Sequence, residues 1–307
     1  MFVVNPDPFL LPAYRISPFK TEHIAINLGL PTDNFANIYF DKKFGTGKWQ
    51  YTFNGREAIQ LALENYRLQP NDLVTILTTS ENFYISSCVT TEIEKTCRWN
   101  REILPETKVI FINHEFGYPY LEIEKIVATG LPIIEDCCTT FFSQDASGNI
   151  GKYGDYSVYS FPKFFPIQMG GLLVSNSKKT TNKSVLLVEQ TQYIQNVVSH
   201  HLKTETQLLH KRKENFDYAI SGFSKLGFTV RFHNDKNNVP SVLLLNNNSI
   251  IKDLKALKLF LTDNGIQNSV FYGEDAFFIP NHQNLTYKDL DYFIHLITLF
   301  IQPLIEK

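Results

Sequence analysis

The chain of 307 residues has few cysteines, no long apolar run and no excess of basic charge, and each absence excludes a class of protein. The four cysteines lack the spacing of a zinc site, so we expect no metal, and the adjacent pair Cys137 and Cys138 is a poor candidate for a disulfide. The net charge of -2 removes the usual electrostatic basis for nucleic-acid binding.

No segment has the character of a secretion signal or a membrane anchor. The first 20 residues contain four prolines and no continuous apolar run, so they are predicted to form an extended arm. The apolar stretch at residues 292–305 is interrupted by His295 and Pro303 and is too short to span a bilayer. We therefore expect a terminal amphipathic helix, no membrane partner and a cytoplasmic location.

What is present is an alternation of strands and helices. Apolar strand-like segments at residues 73–78, 109–113, 133–136, 156–161 and 170–175 are separated by helical or turn-forming stretches. Such alternation predicts an α/β layer on a mostly parallel sheet. Beyond residue 177 the chain becomes more polar and then forms shorter elements. We predict an arm over residues 1–20, a large domain over 21–210 and a small α+β domain over 211–307.

Three positions suggest chemistry at the carboxyl ends of the strands, where ligands of such sheets bind. Lys163 follows a strand among apolar neighbours, and desolvation favours a neutral amine that can hold a carbonyl as a Schiff base. The alternative is a surface lysine in a proline-bounded turn. Asp136 ends a buried strand, where it needs a donor or cation such as a protonated pyridine nitrogen. The alternative is a helix cap or a structural salt bridge.

The third position is a helix start at Asn54, Gly55 and Arg56. Asn54 is a plausible N-cap, and Glu57 lies in the first turn, where the helix dipole favours a carboxylate. Free backbone N–H groups at a helix start can bind a phosphate, and glycine lets the anion approach closely. A helix that begins near a glycine is common, so this pattern is weak by itself.

The order of these motifs resembles the DegT/DnrJ/EryC1/StrS family of sugar aminotransferases. Residues 134–138 resemble the family's I-E-D-A-A, residues 154–161 its G-D-x-x-x-x-S-F, and residues 170–176 its G-G-A-V-V-T-N. Residues 113–119 are similar to H-x-x-G-x-P, and residues 280–286 to its closing P-x-H-x-x-L-T. The resemblance runs in order over most of the chain. It implies a pyridoxal 5'-phosphate (PLP) enzyme of aminotransferase fold type I, with a large domain built on a mostly parallel sheet flanked by helices and a small α+β domain.

The resemblance also implies a role for each matching residue. Lys163 would be the Schiff-base lysine and proton shuttle, and Asp136 would hold the pyridine nitrogen protonated. The cofactor phosphate would be bound by Gly55, Arg56 and Ser160. Phe83 lies where the family stacks an aromatic side chain on the ring, although ordinary core packing is the alternative in so phenylalanine-rich a chain. His114 would line the pocket or form a turn, without a catalytic role.

The predicted function is transfer of an amino group, from glutamate by analogy with the family, to a keto sugar that is nucleotide-linked, in a homodimer. Two departures from the family pattern keep alternatives open. The turn from Ser160 to Lys163 is shortened, and the stretch after Asn176 lacks the family's G-x-N-x-R segment. The alternatives are a degenerate member that acts as a ligand-binding or partner subunit, and other PLP sugar chemistry such as dehydration.

Overall fold

The computed structural model describes residues 13–177 and 182–305. In these residues the chain forms a seven-stranded sheet followed by a four-stranded sheet, each covered by helices. Most of the predicted N-terminal arm, residues 1–12, lies outside the described residues. Its last part, residues 13–20, contains neither helix nor strand. It is joined to the C-terminal part by a bridge between Tyr14 and Ile266 and by hydrogen bonds such as that from Asn284 Nδ2 to the Pro18 carbonyl at 2.9 Å.

The large sheet has the strand order β1-β7-β6-β5-β4-β2-β3. Its strands are β1 (Trp49–Thr52), β2 (Leu73–Thr78), β3 (Arg98–Asn100), β4 (Thr107–Asn113), β5 (Ile133–Asp136), β6 (Tyr156–Ser160) and β7 (Gly171–Ser175). Strands β3, β2, β4, β5 and β6 are parallel, whereas β7 is antiparallel to both β6 and β1. The carboxyl ends of the parallel strands therefore meet at one edge, as the sequence predicts.

Helices pack on both faces of this sheet. They are α1 (His23–Leu28), α2 (Phe35–Phe44), α3 (Gly55–Glu64), α4 (Ser87–Glu94), α5 (Ile123–Val127) and α6 (Val188–Leu202). Helix α3 buries Ala58, Leu61 and Ala62 against one face, at the helical spacing that the sequence shows. The other face is covered by α2 and α6, where a phenylalanine-rich core surrounds Phe40 and Phe161, stacked at 5.9 Å between ring centroids. Much of the chain's aromatic content lies in this core.

The second sheet is entirely antiparallel, with the order β10-β11-β9-β8. Its elements are α7 (Glu205–Ser224), β8 (Thr229–Val230), β9 (Val242–Asn246), α8 (Leu254–Asp263), β10 (Ser269–Val270), β11 (Ala276–Pro280) and α9 (Tyr287–Ile305). The predicted domain boundary after residue 210 falls inside α7. Leu208 packs in the core of the large sheet, whereas Phe216 and Phe223 belong to the second core.

Most predicted elements are present, and the differences are local. The strands predicted at residues 73–78 and 133–136 have the predicted bounds, and the amphipathic C-terminal helix is present. Helices α2 and α4 and the edge strand β3 were not predicted, because none of them has a strong apolar periodicity. All four cysteines are free. In the parts of the chain that the structure covers, no helix combines the length and the apolar character needed to cross a bilayer.

Candidate active site

Three polar residues lie side by side at the carboxyl edge of the large sheet. The register pairs Thr78 at the end of β2 with Asn113 at the end of β4, and Asn113 with Asp136 at the end of β5. Because the pairing is parallel, the three strands present their last side chains on the same edge. The ends of these three parallel strands are therefore neighbours in space.

Asp136 is 4% exposed and is held by two uncharged donors. The side-chain amide of Asn113 donates to Oδ2 at 2.7 Å, and the backbone N–H of Cys138 donates to Oδ1 at 3.0 Å. Burial raises the pKa of the Asp136 carboxyl above its ordinary value, and these two hydrogen bonds oppose the shift. Within residues 13–177 and 182–305, Asp136 forms no salt bridge. A cation placed beside it would relieve the cost of its burial.

The start of α3 lies against Cys138, the residue whose N–H binds this carboxylate. Asn54 caps the helix, because its side chain accepts the N–H of Glu57 at 3.0 Å, as predicted. The Glu57 carboxylate accepts the N–H of Phe53 in return, which fixes the chain as it enters the helix. The N–H groups of Gly55 and Arg56 have no acceptor anywhere in residues 13–177 or 182–305. They are free to bind an anion at the positive end of the helix dipole.

Gly55 allows three elements to meet. A Cβ atom at this position would lie 2.9 Å from Cys138 Sγ and 3.2 Å from Ser160 Cβ, which is closer than side chains pack. At Gly55, the start of α3 therefore meets the end of β6 and Cys138. A side chain at this position would fill the space between them. The Ser160 hydroxyl oxygen would lie 3.7 Å from the same Cβ atom, so it is adjacent to the start of α3.

A second glycine brings the loop before α3 to the end of β6. A Cβ atom at Gly171 would lie 2.6 Å from the Tyr159 carbonyl oxygen and 2.7 Å from Thr52 Oγ1. Its neighbour Gly170 donates its N–H to the Phe53 carbonyl at 2.6 Å. The pair Gly170 and Gly171 at the start of β7 thus has a structural reason: it lets the loop before α3 pack against the strand that ends in Ser160.

Lys163 follows Ser160 in a single 3-10 turn, Phe161–Lys163. The turn is closed by the N–H of Phe161, which donates to Gly170, and by the N–H groups of Phe164 and Phe165, which donate to Phe161. Phe161 is buried, whereas Pro162 and Lys163 are half-buried. The Lys163 amine has no hydrogen-bond acceptor among the residues described. The environment is apolar, as the sequence indicated.

Cys138 connects the predicted residues to one another. Its N–H binds Asp136, its sulfur lies against Gly55, and its thiol is close enough to Lys163 for the two to interact electrostatically. Burial, followed by the Asp136 carboxylate, raises the pKa of this thiol well above its ordinary value, and Lys163 opposes the shift. Through Cys138, the structure brings Lys163, Asp136, Gly55 and Ser160 into one site.

Two other predicted residues, Phe83 and Arg56, are exposed. Phe83 lies in the loop after β2 and is 83% exposed, so the alternative of ordinary core packing is wrong. Two hydrogen bonds of Asn82 fix this loop. Arg101 donates to the Asn82 carbonyl at 2.6 Å, and the Asn82 side chain donates to the Tyr272 carbonyl at 2.8 Å. The Arg56 side chain is exposed and forms no ion pair or side-chain hydrogen bond within the described ranges.

His114 is part of the structural support below the site. Its Nδ1 accepts the N–H of Tyr120 at 2.9 Å, so its proton is on Nε2 and points to the Glu135 carboxylate at 3.3 Å. Glu135 also accepts the N–H groups of Gly151 and Gly154, each at 2.8 Å. His114, Glu135 and Cys137 are close enough to hold a metal ion, but the histidine and carboxylate atoms are already used in these buried hydrogen bonds.

Sequence reasoning missed two residues at this edge. Asn113 was singled out only as a strand end, and its position beside Asp136 follows from the β4–β5 register. Cys138 was recognised within a motif but not as a site residue. Its place two residues after a strand-terminal aspartate was the available signal, because the chain must turn there and pass the start of the neighbouring helix.

Solved structures with the same fold define the class of protein. The aminotransferase TlmJ from Streptoalloteichus hindustanus has a TM-score of 0.69 and 16% sequence identity, with 92% of this chain and 95% of that chain covered. GDP-4-keto-6-deoxy-D-mannose-3-dehydratase from E. coli has a TM-score of 0.68 and 15% identity, with coverage of 94% and 100%. The fold is that of the PLP-dependent aminotransferases of fold type I, as predicted.

The family follows from the sequence profile of the DegT/DnrJ/EryC1/StrS aminotransferase family, which matches residues 28–293. The chain belongs to this family, whose members depend on PLP, so the resemblance and the cofactor class are confirmed. A curated relative, GDP-perosamine synthase from Escherichia coli O157:H7, is 27% identical over 169 residues. That match covers 52% of this chain and 43% of the relative, so it spans less than half of the relative's length.

Proposed function

We propose that this chain is a PLP-dependent sugar aminotransferase that transfers an amino group from an amino-acid donor to a keto sugar. The observation that carries the proposal is the convergence of Asp136, Lys163 and the start of α3 around Cys138. The residues fit the cofactor. Within the described part of the chain, the site offers a buried carboxylate without a counter-ion, free N–H groups at a helix start, and a lysine amine without a partner.

Asp136 would bind the pyridine nitrogen. PLP, when bound, withdraws electrons from the bonds of the carbon attached to the amine, and a proton on the ring nitrogen strengthens that withdrawal. The carboxylate is buried and receives only uncharged donors, so a protonated ring nitrogen supplies the counter-charge that it lacks. Asn113 and Cys138 hold the carboxylate in place and leave lone pairs on both oxygens free.

Gly55, Arg56 and Ser160 would bind the cofactor phosphate. The N–H groups of Gly55 and Arg56 lie at the positive end of α3, a helix of 10 residues, and the Ser160 hydroxyl is next to them. The Arg56 guanidinium can add a bidentate contact where the family has hydroxyl side chains. The exposed ring of Phe83 would cover the open face of the cofactor.

Lys163 would hold the cofactor and then move protons. Its amine would accept a proton from the substrate carbon and return it elsewhere. The acceptor that we propose is a nucleotide-linked keto sugar, and the donor is glutamate. Support for the acceptor comes from the names of GDP-perosamine synthase and of the dehydratase with the same fold, both of which indicate GDP-linked sugars. The dehydratase also supports dehydration as the second candidate reaction.

We propose a cytoplasmic homodimer in which the partner subunit completes the cofactor pocket, as the family resemblance implies. Apolar side chains next to the start of α3 support it. Phe53 is partly exposed, and Val185 is largely exposed although its N–H binds the Glu57 carboxylate at 2.8 Å. Light scattering tests this proposal: a dimer is expected, and a clean monomer would contradict it and favour the degenerate-subunit alternative.

The function is tested by purifying the protein with PLP, reducing it with borohydride and mapping the modified peptide. A reducible adduct on Lys163 is expected, and Lys163→Ala should lose it while still binding PLP non-covalently. Lys152→Ala, which changes an exposed lysine, is the matched control. Incubation with glutamate and a GDP-linked keto sugar should then yield an amino sugar. A deoxy sugar as the product would indicate dehydration. The absence of any adduct after borohydride reduction would contradict the assignment as an enzyme.

A further inference from the structure

The turn that contains Lys163 is held from the C-terminal part of the chain. The Lys163 carbonyl accepts a hydrogen bond from Arg212 Nη2 at 3.2 Å, and the next carbonyl, of Phe164, accepts one from Gln283 Nε2 at 2.8 Å. Arg212 Nη2 also donates to Gln283 Oε1 at 3.1 Å, so the two side chains are joined to each other. The connected side chains of Arg212 and Gln283 therefore bind the consecutive carbonyls of Lys163 and Phe164.

Arg212 is buried in a way that is unusual for a charged side chain. It is 1% exposed, and no carboxylate forms an ion pair with it anywhere in the described part of the chain. Its other contacts are the Pro240 carbonyl at 3.4 Å and the Phe164 ring, 4.7 Å from its centroid, while its Nε has no hydrogen-bond partner. Burying a charge without a counter-charge is costly, so Arg212 is poorly explained as a contribution to stability alone.

The pair is itself rigidly placed. Asn215 lies one turn after Arg212 on α7 and is fully buried. Its side-chain amide donates to the carbonyls of His282 and Leu285, each at 2.9 Å, so α7 fixes the backbone on both sides of Gln283. A single helix thus carries Arg212 and also positions Gln283.

We propose that Arg212 and Gln283 form a clamp that positions Lys163 for its reaction, so that the C-terminal part of the chain sets the geometry of the lysine turn. This proposal rests on the proposed function, because it assumes that Lys163 bears the cofactor. The backbone bonds of the shortened turn use the N–H groups of Phe161, Phe164 and Phe165. The clamp adds bonds to the Lys163 and Phe164 carbonyls. Arg212 and Gln283 are positioning residues, since they act through the backbone of the lysine turn.

The clamp is tested first in the protein without cofactor. Hydrogen exchange of the peptide covering residues 161–170 is compared between wild type, Arg212→Met and Gln283→Leu, with Lys213→Met as the control because Lys213 is the exposed neighbour on α7. Exchange should become roughly tenfold faster or more in the first two variants, the factor expected for losing one hydrogen bond from or to a charged group. The β9 peptide and the control should not change. Equal exchange in all proteins would overturn the proposal.

The second measurement uses the PLP-loaded protein. The visible absorption of the adduct on Lys163 is titrated against pH in the same variants. A displaced titration midpoint in Arg212→Met, with partial return in Arg212→Lys, is expected, whereas a merely structural residue would leave the midpoint unchanged. Faster exchange with an unchanged midpoint would therefore overturn the positioning role. If Arg212→Met does not fold, Gln283→Leu and Arg212→Lys decide the question. A wild-type protein without an adduct would contradict the proposed function itself, whereas the exchange experiment would still report on the clamp.

Discussion

Asn113 donates its side-chain amide to the carboxylate of Asp136 across two neighbouring parallel strands, at a distance of 2.7 Å. The contact orients the carboxylate but brings no charge to it. Together with the Cys138 N–H, it leaves Asp136 hydrogen-bonded, buried and without a counter-ion in the described ranges. An aspartate in this state is suited to receive a cation, and four of the five predictions below concern it or the elements around it.

Replacement Asp136→Asn should lower turnover while the protein stays folded. The variant keeps the shape of the side chain but cannot hold a proton on the ring nitrogen. The loss of one hydrogen bond between charged partners corresponds to about 1.5–3 kcal/mol, or roughly a ten- to hundredfold decrease in kcat. Steady-state kinetics measure this loss. Asn113→Ala, which removes a neutral donor and keeps the carboxylate, should have the smaller effect, and the opposite order would contradict the assigned role.

The same substitution should change how the stability of the cofactor-free protein depends on pH. Burial raises the pKa of Asp136 above the ordinary 3.8, so the folded protein keeps a proton that the unfolded chain releases. Stability therefore falls as pH rises from about the ordinary value through the raised one. Urea unfolding measures the free energy of unfolding across this range. The decrease that Asp136 causes should be present in wild type and absent in Asp136→Asn. Parallel curves would rule out the raised pKa.

His282 should produce the opposite dependence on pH. Burial, and secondly the charge of Arg212, lower its pKa from 6.5 to about 3. The unfolded chain then binds a proton that the folded protein does not, so stability is lost as pH falls from 6.5 toward 3. The slope for one proton is at most about 1.4 kcal/mol per pH unit. In urea unfolding, the free energy of unfolding of His282→Gln should depend on pH less steeply than that of wild type, by up to that amount. His201, lowered to about 4, contributes to both proteins and cancels.

Replacement Gly55→Ala should weaken the binding of PLP. The added methyl group would lie 2.9 Å from Cys138 Sγ and 3.2 Å from Ser160 Cβ, so the site must shift by several tenths of an ångström. Overpacking of this kind costs about 1–3 kcal/mol, and the dissociation constant for PLP should rise about tenfold or more. Gly29→Ala is the control, since its methyl would meet only ordinary contacts at 3.5 Å. Cys138→Ala added to Gly55→Ala should recover part of the affinity, and a lack of recovery would exclude the clash as the cause.

Replacement Asn54→Ala should destabilise the protein through the start of α3. Its side chain accepts the Glu57 N–H, and losing such an N-cap costs about 1 kcal/mol. Chemical denaturation measures the change. Asn34→Ala provides a matched comparison, because Asn34 is at the N-cap position of α2 without a side-chain capping bond. Equal losses in the two variants would show that the cap contributes nothing specific.

Several features of the site were predictable because they depend on local sequence. The cap at Asn54 needs only its spacing to Glu57, and the buried strand ending in Asp136 needs only a short apolar run. The order of the motifs was sufficient to identify the family, and Lys163 could be singled out from its apolar turn. The core alternative for Phe83 was wrong, because whether an aromatic ring is covered depends on the elements that pack over its loop.

The sequence by itself determined the strands, the capped helix and the residue types available for chemistry, since these follow from periodicity and from contacts within a few positions. Only the tertiary structure decided which of them meet. The β4–β5 register places Asn113 against Asp136, the absence of a side chain at Gly55 admits Cys138, and α7 brings Arg212 to the Lys163 carbonyl across 49 positions of sequence. Such contacts depend on how distant elements pack, and no local pattern in the chain encodes them.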